Sequence, residues 1–314
     1  QHAIGLNAKT IYDFLKCVAP FEGWRYEYKE RITELMIAAG VLTPNQRNGR
    51  DDAWRDYQQL LTELGLIYST KICPTLTLTN LGQMFLAGEI GFSELIGMQS
   101  LRYQYPNGQK TVIQSRLRGE IDPSDFENIE TLTEFQVNQQ ILIKPGTLVL
   151  RILLELNSSK FNSYISIPEC QAFLLPCRVN SEWKIALSEI MFHRRSIVDI
   201  SSINLHAKRN IQDWFKFLTK SDFFCMSHDA QGNCVLVLST YAKENIVLMH
   251  EYCKSQEAAT SFWIPQDFSK TSMISWFDWF GTISFDEQKT LRVDIENNQD
   301  YLDNNYTAGI DEED

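Results

Sequence analysis

Three Glu-x-Lys triplets stand in this 314-residue chain: Glu27-Tyr28-Lys29, Glu182-Trp183-Lys184 and Glu287-Gln288-Lys289. Carboxylates with a nearby lysine can hold Mg²⁺ and polarise an attacking water, the chemistry of phosphodiester hydrolysis. Chance alone supplies roughly two such triplets among this many acids, so the motif needs a structural context. The first two fall in helical patterns, where a catalytic strand pair is not expected. Only the third has an acid upstream, Asp278, and a candidate strand beside it at 282–285. Asp278, Glu287 and Lys289 are therefore the one candidate Mg²⁺ centre. No Gly-rich phosphate loop, His-x3-His or Gly-x-Ser-x-Gly pattern occurs. No complete catalytic centre is legible.

Metal-ligand types are scattered. Among five histidines and seven cysteines, two pairs have ligand-like spacing, Cys225-x2-His228 and His250-x2-Cys253. Together they could supply four zinc ligands. However, the first pair lies on a candidate hairpin and the second ends a helix, so chance pairing competes. No metal site is assigned. An odd cysteine count without a Cys-x2-Cys pair argues against a disulfide framework and fits a reducing cytoplasm. No stretch reads as a secretory leader or a membrane span, so no membrane partner is expected.

Other residues have the chemistry to read a polyanion. Arginine can pair two donors with guanine and Asn or Gln can pair with adenine, while cations hold phosphates. Gln46, Arg47, Asn48 and Arg50 precede an aromatic-faced helix that carries Arg55 on its first turns. No acid intervenes between Glu94 and Glu120. That stretch holds Arg102, Lys110, Arg116 and Arg118, interleaved with Tyr103, Gln104, Tyr105 and Asn107. Arg178, Asn180 and Lys184 flank a later helix start. From Arg194 to Lys220 six cations, including Arg194, Arg195, Lys208 and Arg209, face two acids, a net +4. An ordinary solvated surface competes at each place. The net charge of −11 does not oppose this reading. Ten carboxylates and two cations from Asp286 onward account for −8 of it, leaving −3 on the rest.

These residues need elements to position them. Helical spacing is clear over 9–20, 27–40 and about 52–64, where Trp54, Tyr57, Leu61 and Leu64 share one face. Residues 43–50 read as a polar break, and 66–69 and 76–79 as two short strands around Pro74. Asn80 is expected to cap another helix through Leu86. The second half repeats the logic: helices over 148–156, 168–177, 182–195 and 203–219, a hairpin at 223–225 and 234–238, then a helix from Tyr241 to about Cys253. The aromatic run at 260–285 is expected to cap the core of this second unit. The expected fold is mainly α with short β-hairpins, arranged as tandem winged-helix domains. Residues 1–140 and 141–285 form the two domains, and 286–314 an acidic, weakly ordered tail or linker.

The run Leu76-Thr77-Leu78-Thr79-Asn80-Leu81-Gly82-Gln83-Met84-Phe85-Leu86-Ala87 is a wing strand followed by a short helix. Arg102-Tyr103-Gln104-Tyr105-Pro106, Pro145-Gly146-Thr147-Leu148-Val149-Leu150-Arg151 and the Ile167-Pro168-Glu169 helix start follow in order. Over residues 25–255 this block order resembles the DNA-recognition part of type IIS restriction endonucleases of the FokI and AlwI kinds. It is particularly similar to nicking endonucleases of the BstNBI kind. The resemblance implies winged-helix recognition of an asymmetric double-stranded DNA site, with Mg²⁺-dependent cleavage in a separate C-terminal domain or subunit. A winged-helix protein-interaction or transcription-regulator subunit, and a nuclease using Asp278, Glu287 and Lys289, are the alternatives.

Overall fold

In the structure, a computed structural model, residues 7–25, 29–42, 46–47, 50–51, 53–107, 129–159, 162–196, 200, 205–258 and 269–283 are described. Side chains are described for these except near 29–30, 46–56, 205–207 and 257–258. The chain is mainly helical. It forms two compact units: Gly5–Phe92 joined by the segment from Ile274 onward, and Ser93–Met273.

In the first unit α1 (Ala8–Val18) buries Ile11, Phe14, Leu15 and Val18, residues three and four apart and so on one helical stripe. Asn7 caps it, its side-chain oxygen accepting from the Thr10 N–H at 2.7 Å. Helix α2 (Lys29–Ala38) adds Ile32 and Met36 to the core. The expected polar break is instead a small antiparallel ladder. Strand β1 (Gln46–Arg47) pairs with β2 (Arg50–Asp51), Gln46 opposite Asp51 and Arg47 opposite Arg50. The signal was in the sequence: Asn-Gly between two short segments favours a two-residue hairpin loop. Helix α3 (Ala53–Glu63) follows, and its ring of Tyr57 stacks on Phe14 at 3.9 Å.

The two expected strands pair, but briefly. Ile67 bridges Leu78, the Tyr68 N–H donates to Thr77 O at 3.0 Å, and the Thr79 N–H donates to Leu66 O at 3.0 Å. On the other side Arg25 bridges Thr75, and the Leu76 N–H donates to Trp24 O at 2.9 Å. The last extended segment thus lies between the other two. Helix α4 (Asn80–Leu86) is capped by Thr79 one residue earlier than expected, through the Gly82 N–H at 3.0 Å.

The second unit opens with α5 (Phe92–Arg102) and α6 (Ile129–Asn138). Its centre is α7 (Pro145–Ser158), apolar except for a narrow side that carries the Arg151–Glu155 ion pair. A helix with so narrow a polar side must be largely surrounded, and Leu148, Val149, Leu150, Ile152, Leu153, Leu154 and Leu156 are all buried. Gly146 lets its first turn meet α5: a Cβ there would sit 2.1 Å from Ser100 O. Strand β3 (Tyr164–Ser166) leads into α8 (Ile167–Glu169), which continues as a π-turn through Leu174. Helices α9 (Trp183–Ser196) and α10 (Leu205–Leu218) come next. Strands β4 (Phe224–His228) and β5 (Cys234–Leu238) close an antiparallel sheet of order β3-β5-β4. The single helix expected after it is two, α11 (Thr240–Glu244) and α12 (Ile246–Ala258), separated by Asn245.

The final described helix, α13 (Lys270–Phe280), carries part of the aromatic run. Trp276, Phe277 and Phe280 are buried as expected, Trp276 stacking on Phe280 at 4.7 Å. Residues 274–283, however, belong to the first unit, not the second. The Leu81 N–H donates to Gly281 O at 2.7 Å, and a Cβ on Gly281 would lie 2.5 Å from the Thr79 side chain. Apolar burial is non-directional, so composition announces a buried cluster without naming its partner. Residues 286–314, the expected acidic tail, lie outside the described residues.

Candidate nucleic-acid interface

The cations separate into an interior set and a surface set. Arg102 ends α5 and is 1% exposed, its Nη1 donating to Gln99 Oε1 at 3.3 Å. Gln104 is equally buried and donates to Pro106 O at 3.1 Å; Asn107 is buried too. The Tyr103 and Tyr105 rings meet edge to face at 5.1 Å, both half-buried. This part of the acid-free stretch is structural interior. Lys110, Arg116 and Arg118 lie outside the described residues, as does Asn48. Gln46, Arg47 and Arg50 are placed only as backbone in β1 and β2, and Arg55 only in the first turn of α3.

In the second unit Asn180 joins two segments. Its Oδ1 accepts from the Lys144 N–H at 2.7 Å and its Nδ2 donates to Lys144 O at 3.0 Å. Arg178 is exposed, with Nη1 3.3 Å from Gln139 O. Lys184 is exposed beside the Trp183 ring, at 5.7 Å, while the Arg151 guanidinium lies over that ring at 4.5 Å. Arg194 points inward. It makes a two-point pair with Glu169 at 2.6 and 3.0 Å and donates to the carbonyls of Asn162 and Tyr164, each at 2.6 Å.

Arg195, Lys208 and Arg209 are exposed. On α10 the periodicity explains this for Arg209. Ile211, Phe215 and Leu218 take the buried stripe, which leaves Arg209 and Asn210 off it, while Lys208, three positions before Ile211 on that stripe, is exposed on the first turn of the helix. Asp213 sits one turn further, 3.9 Å from Arg209 and 3.8 Å from Lys216, partly offsetting their charge. Asn210 does not stand out in the sequence because it carries no charge. Its place beside Lys208 and Arg209, off the Ile211 stripe, was the available signal.

The β4–β5 turn is acidic. Asp229 accepts from the Gln231 and Asn233 N–H groups at 2.9 and 2.8 Å, and hydrogen bonding from Asn233 holds its carboxyl below the usual range. No lysine or arginine occurs between Phe224 and Leu238. The helix, not this hairpin, carries the positive charge.

The other chemistries find little support in the geometry. No group of three or more His, Cys, Asp or Glu side chains comes together among the described residues. Cys225 and His228 are exposed on β4, an odd number of positions apart and therefore on opposite faces. Cys253 is buried on α12, its thiol 3.5 Å from Thr147 O. Asp278 lies on helix α13, not on a strand, and its carboxylate accepts the Tyr68 hydroxyl. Burial and that contact raise the Tyr68 phenol. Glu287 and Lys289 are outside the described residues, so Asp278 is the one member of that candidate centre the structure places. No helix among the described residues is long and apolar enough to cross a membrane.

No known family model matches the chain, and no curated protein matches it. Solved structures do. The chain is similar in fold to the BpuJ1 endonuclease binding domain. That domain was solved in complex with pyrene- and phenanthrene-modified DNA. The TM-score is 0.58 over 86% of this chain and 90% of that one, at 10% sequence identity. At that identity the likeness is one of architecture.

Proposed function

We propose that this chain is a double-stranded DNA recognition module of a restriction or nicking endonuclease, with two winged-helix units and no cutting centre of its own among the described residues. The observation that carries the reading is the outer edge of α10, where Lys208, Arg209 and Asn210 are exposed on the helix that precedes a β-hairpin. A helix so placed can enter the major groove by its N-terminal half, with the amide reading a base and the cations reading phosphates or guanine.

Two further facts support it. Each unit runs helix, extended segment, helices, then an antiparallel pair whose last member is central, as a winged helix does. The second unit differs by inserting α9 between α8 and α10. The fold is also shared with a domain that binds DNA in a solved complex. Recognition is assigned to residues 1–140 and 141–285, with 286–314 a linker toward a nuclease domain or subunit that uses Mg²⁺. The compact units cross that division, at 93–140 and beyond 273. The type IIS and nicking character and a place in a restriction–modification system rest on the resemblance, and the cytoplasmic place on the cysteine usage.

Selection from a random duplex pool tests the reading. Enrichment of an asymmetric motif of several base pairs is expected, and duplex binding that weakens steeply with salt. A pool that stays random, with no salt-sensitive binding, overturns it.

A further inference from the structure

In the two units an aromatic residue of the first extended segment lies under an arginine, but the two arginines end differently. In the second unit Arg194 sits 4.3 Å over the Tyr164 ring and its donors are taken by Glu169 and by two carbonyls. That guanidinium is internally satisfied. In the first unit Arg31, on the first turn of α2, lies 5.7 Å over the Trp24 ring. Trp24 is 38% exposed, braced edge-on by Phe21 at 5.2 Å. Arg31 meets no carboxylate among the described residues, and neither does Arg25, exposed and next to Trp24 in the chain.

We propose that Trp24, Arg25 and Arg31 form a backbone-phosphate clamp for duplex DNA on the first unit, an inference that rests on the recognition reading above. A guanidinium held over an indole face is partly ordered in advance and loses less freedom on meeting a phosphate. The backbone sets the pair. Arg25 bridges Thr75 at the start of the last extended segment, and Trp24 O accepts from the Leu76 N–H. Arg31 opens the helix before α3, and helix openings in this position lie against the DNA backbone in helix-turn-helix docking. The site supplies charge and fixed geometry, but no paired amide for a base edge. It therefore anchors the first unit without choosing sequence.

The test is a salt titration of duplex binding for the full chain, Arg25→Gln/Arg31→Gln and Trp24→Ala, each with a thermal melt. The double variant is expected to melt like the parent and to bind selected and unrelated duplexes about equally more weakly. Its slope of log affinity against log salt should flatten by about 1.8, or roughly 0.9 for each phosphate released. Trp24→Ala should flatten it by a smaller amount. An unchanged slope in a protein that otherwise binds duplex with steep salt dependence overturns the clamp and leaves the recognition reading standing. Absence of duplex binding by the parent overturns that reading itself. Polyglutamate competing as well as duplex, charge for charge, also overturns the clamp in favour of an acidic protein partner.

Discussion

Arg194 and Glu169, 25 positions apart, form a closed two-point ion pair with side chains 11% and 4% exposed. The same carboxylate closes a capping box, accepting from the Ser166 N–H at 2.9 Å and from its hydroxyl at 3.0 Å. One group thus joins the end of α9, the start of α8 and strand β3.

Removing one partner strands the other charge where water cannot reach it. Glu169→Ala and Arg194→Ala should each cost about 3–5 kcal/mol in denaturant unfolding. The double variant should lose less than the sum, because neither charge is then left alone. Additive losses would show that the pair is not a unit.

Surface cations on α10 should behave otherwise. Lys208→Ala or Arg209→Ala should leave the melting temperature nearly unchanged. Loss of a phosphate contact weakens all duplexes alike and flattens the salt slope by about 0.9. Loss of a guanine contact costs about 1–3 kcal/mol and relaxes one base pair. Asn210→Ala is expected to relax one position without altering the salt slope. Binding assays on single-base variants of the selected site separate these outcomes.

Glu63 makes the first unit sensitive to pH. It ends α3, and burial raises its carboxyl from 4.5 to about 7, against a hydrogen bond from Gln59 Nε2 at 2.8 Å. The folded state therefore holds a proton that the unfolded chain releases between about pH 4.5 and 7. Stability from this group is greatest at low pH and falls as pH rises through that window, by up to roughly 3 kcal/mol. Glu63→Gln should remove this part of the slope and raise the melting temperature at pH 8. A variant that follows the parent at every pH would refute the assignment.

Close packing at Gly146 admits no side chain. Gly146→Ala places a methyl 2.1 Å from Ser100 O, against backbone that cannot rotate away. Its unfolding free energy should drop by several kcal/mol, above the typical 1–3 kcal/mol for overpacking. Gly232→Ala, with nothing within 4 Å but a φ of +82°, should cost about 1 kcal/mol through backbone strain alone.

Much of the architecture is local and was readable from residues. The three-and-four spacing of Ile11, Phe14, Leu15 and Val18 marks α1, and the Ile211, Phe215 and Leu218 stripe marks α10. The β4–β5 hairpin was legible from the unbroken apolar run Cys234–Leu238 and from the turn residues Asp229-Ala230-Gln231-Gly232-Asn233. Such patterns need only neighbours a turn or a strand away, so the chain determines them by itself.

Which cations face solvent was a different matter. Arg102, Arg194, Lys208 and Arg209 look alike in sequence, yet the first is buried, the second pinned by Glu169, and the last two exposed. Nor does the aromatic content of α13 reveal that its end packs against Thr79 and Leu81, some two hundred positions earlier. Burying a charge depends on a partner brought from afar, and apolar contact carries no address. The sequence alone determined the helices, the turns and the supply of charge. Only the tertiary structure decided which of those charges remain for a ligand, because that is settled by contacts between distant segments.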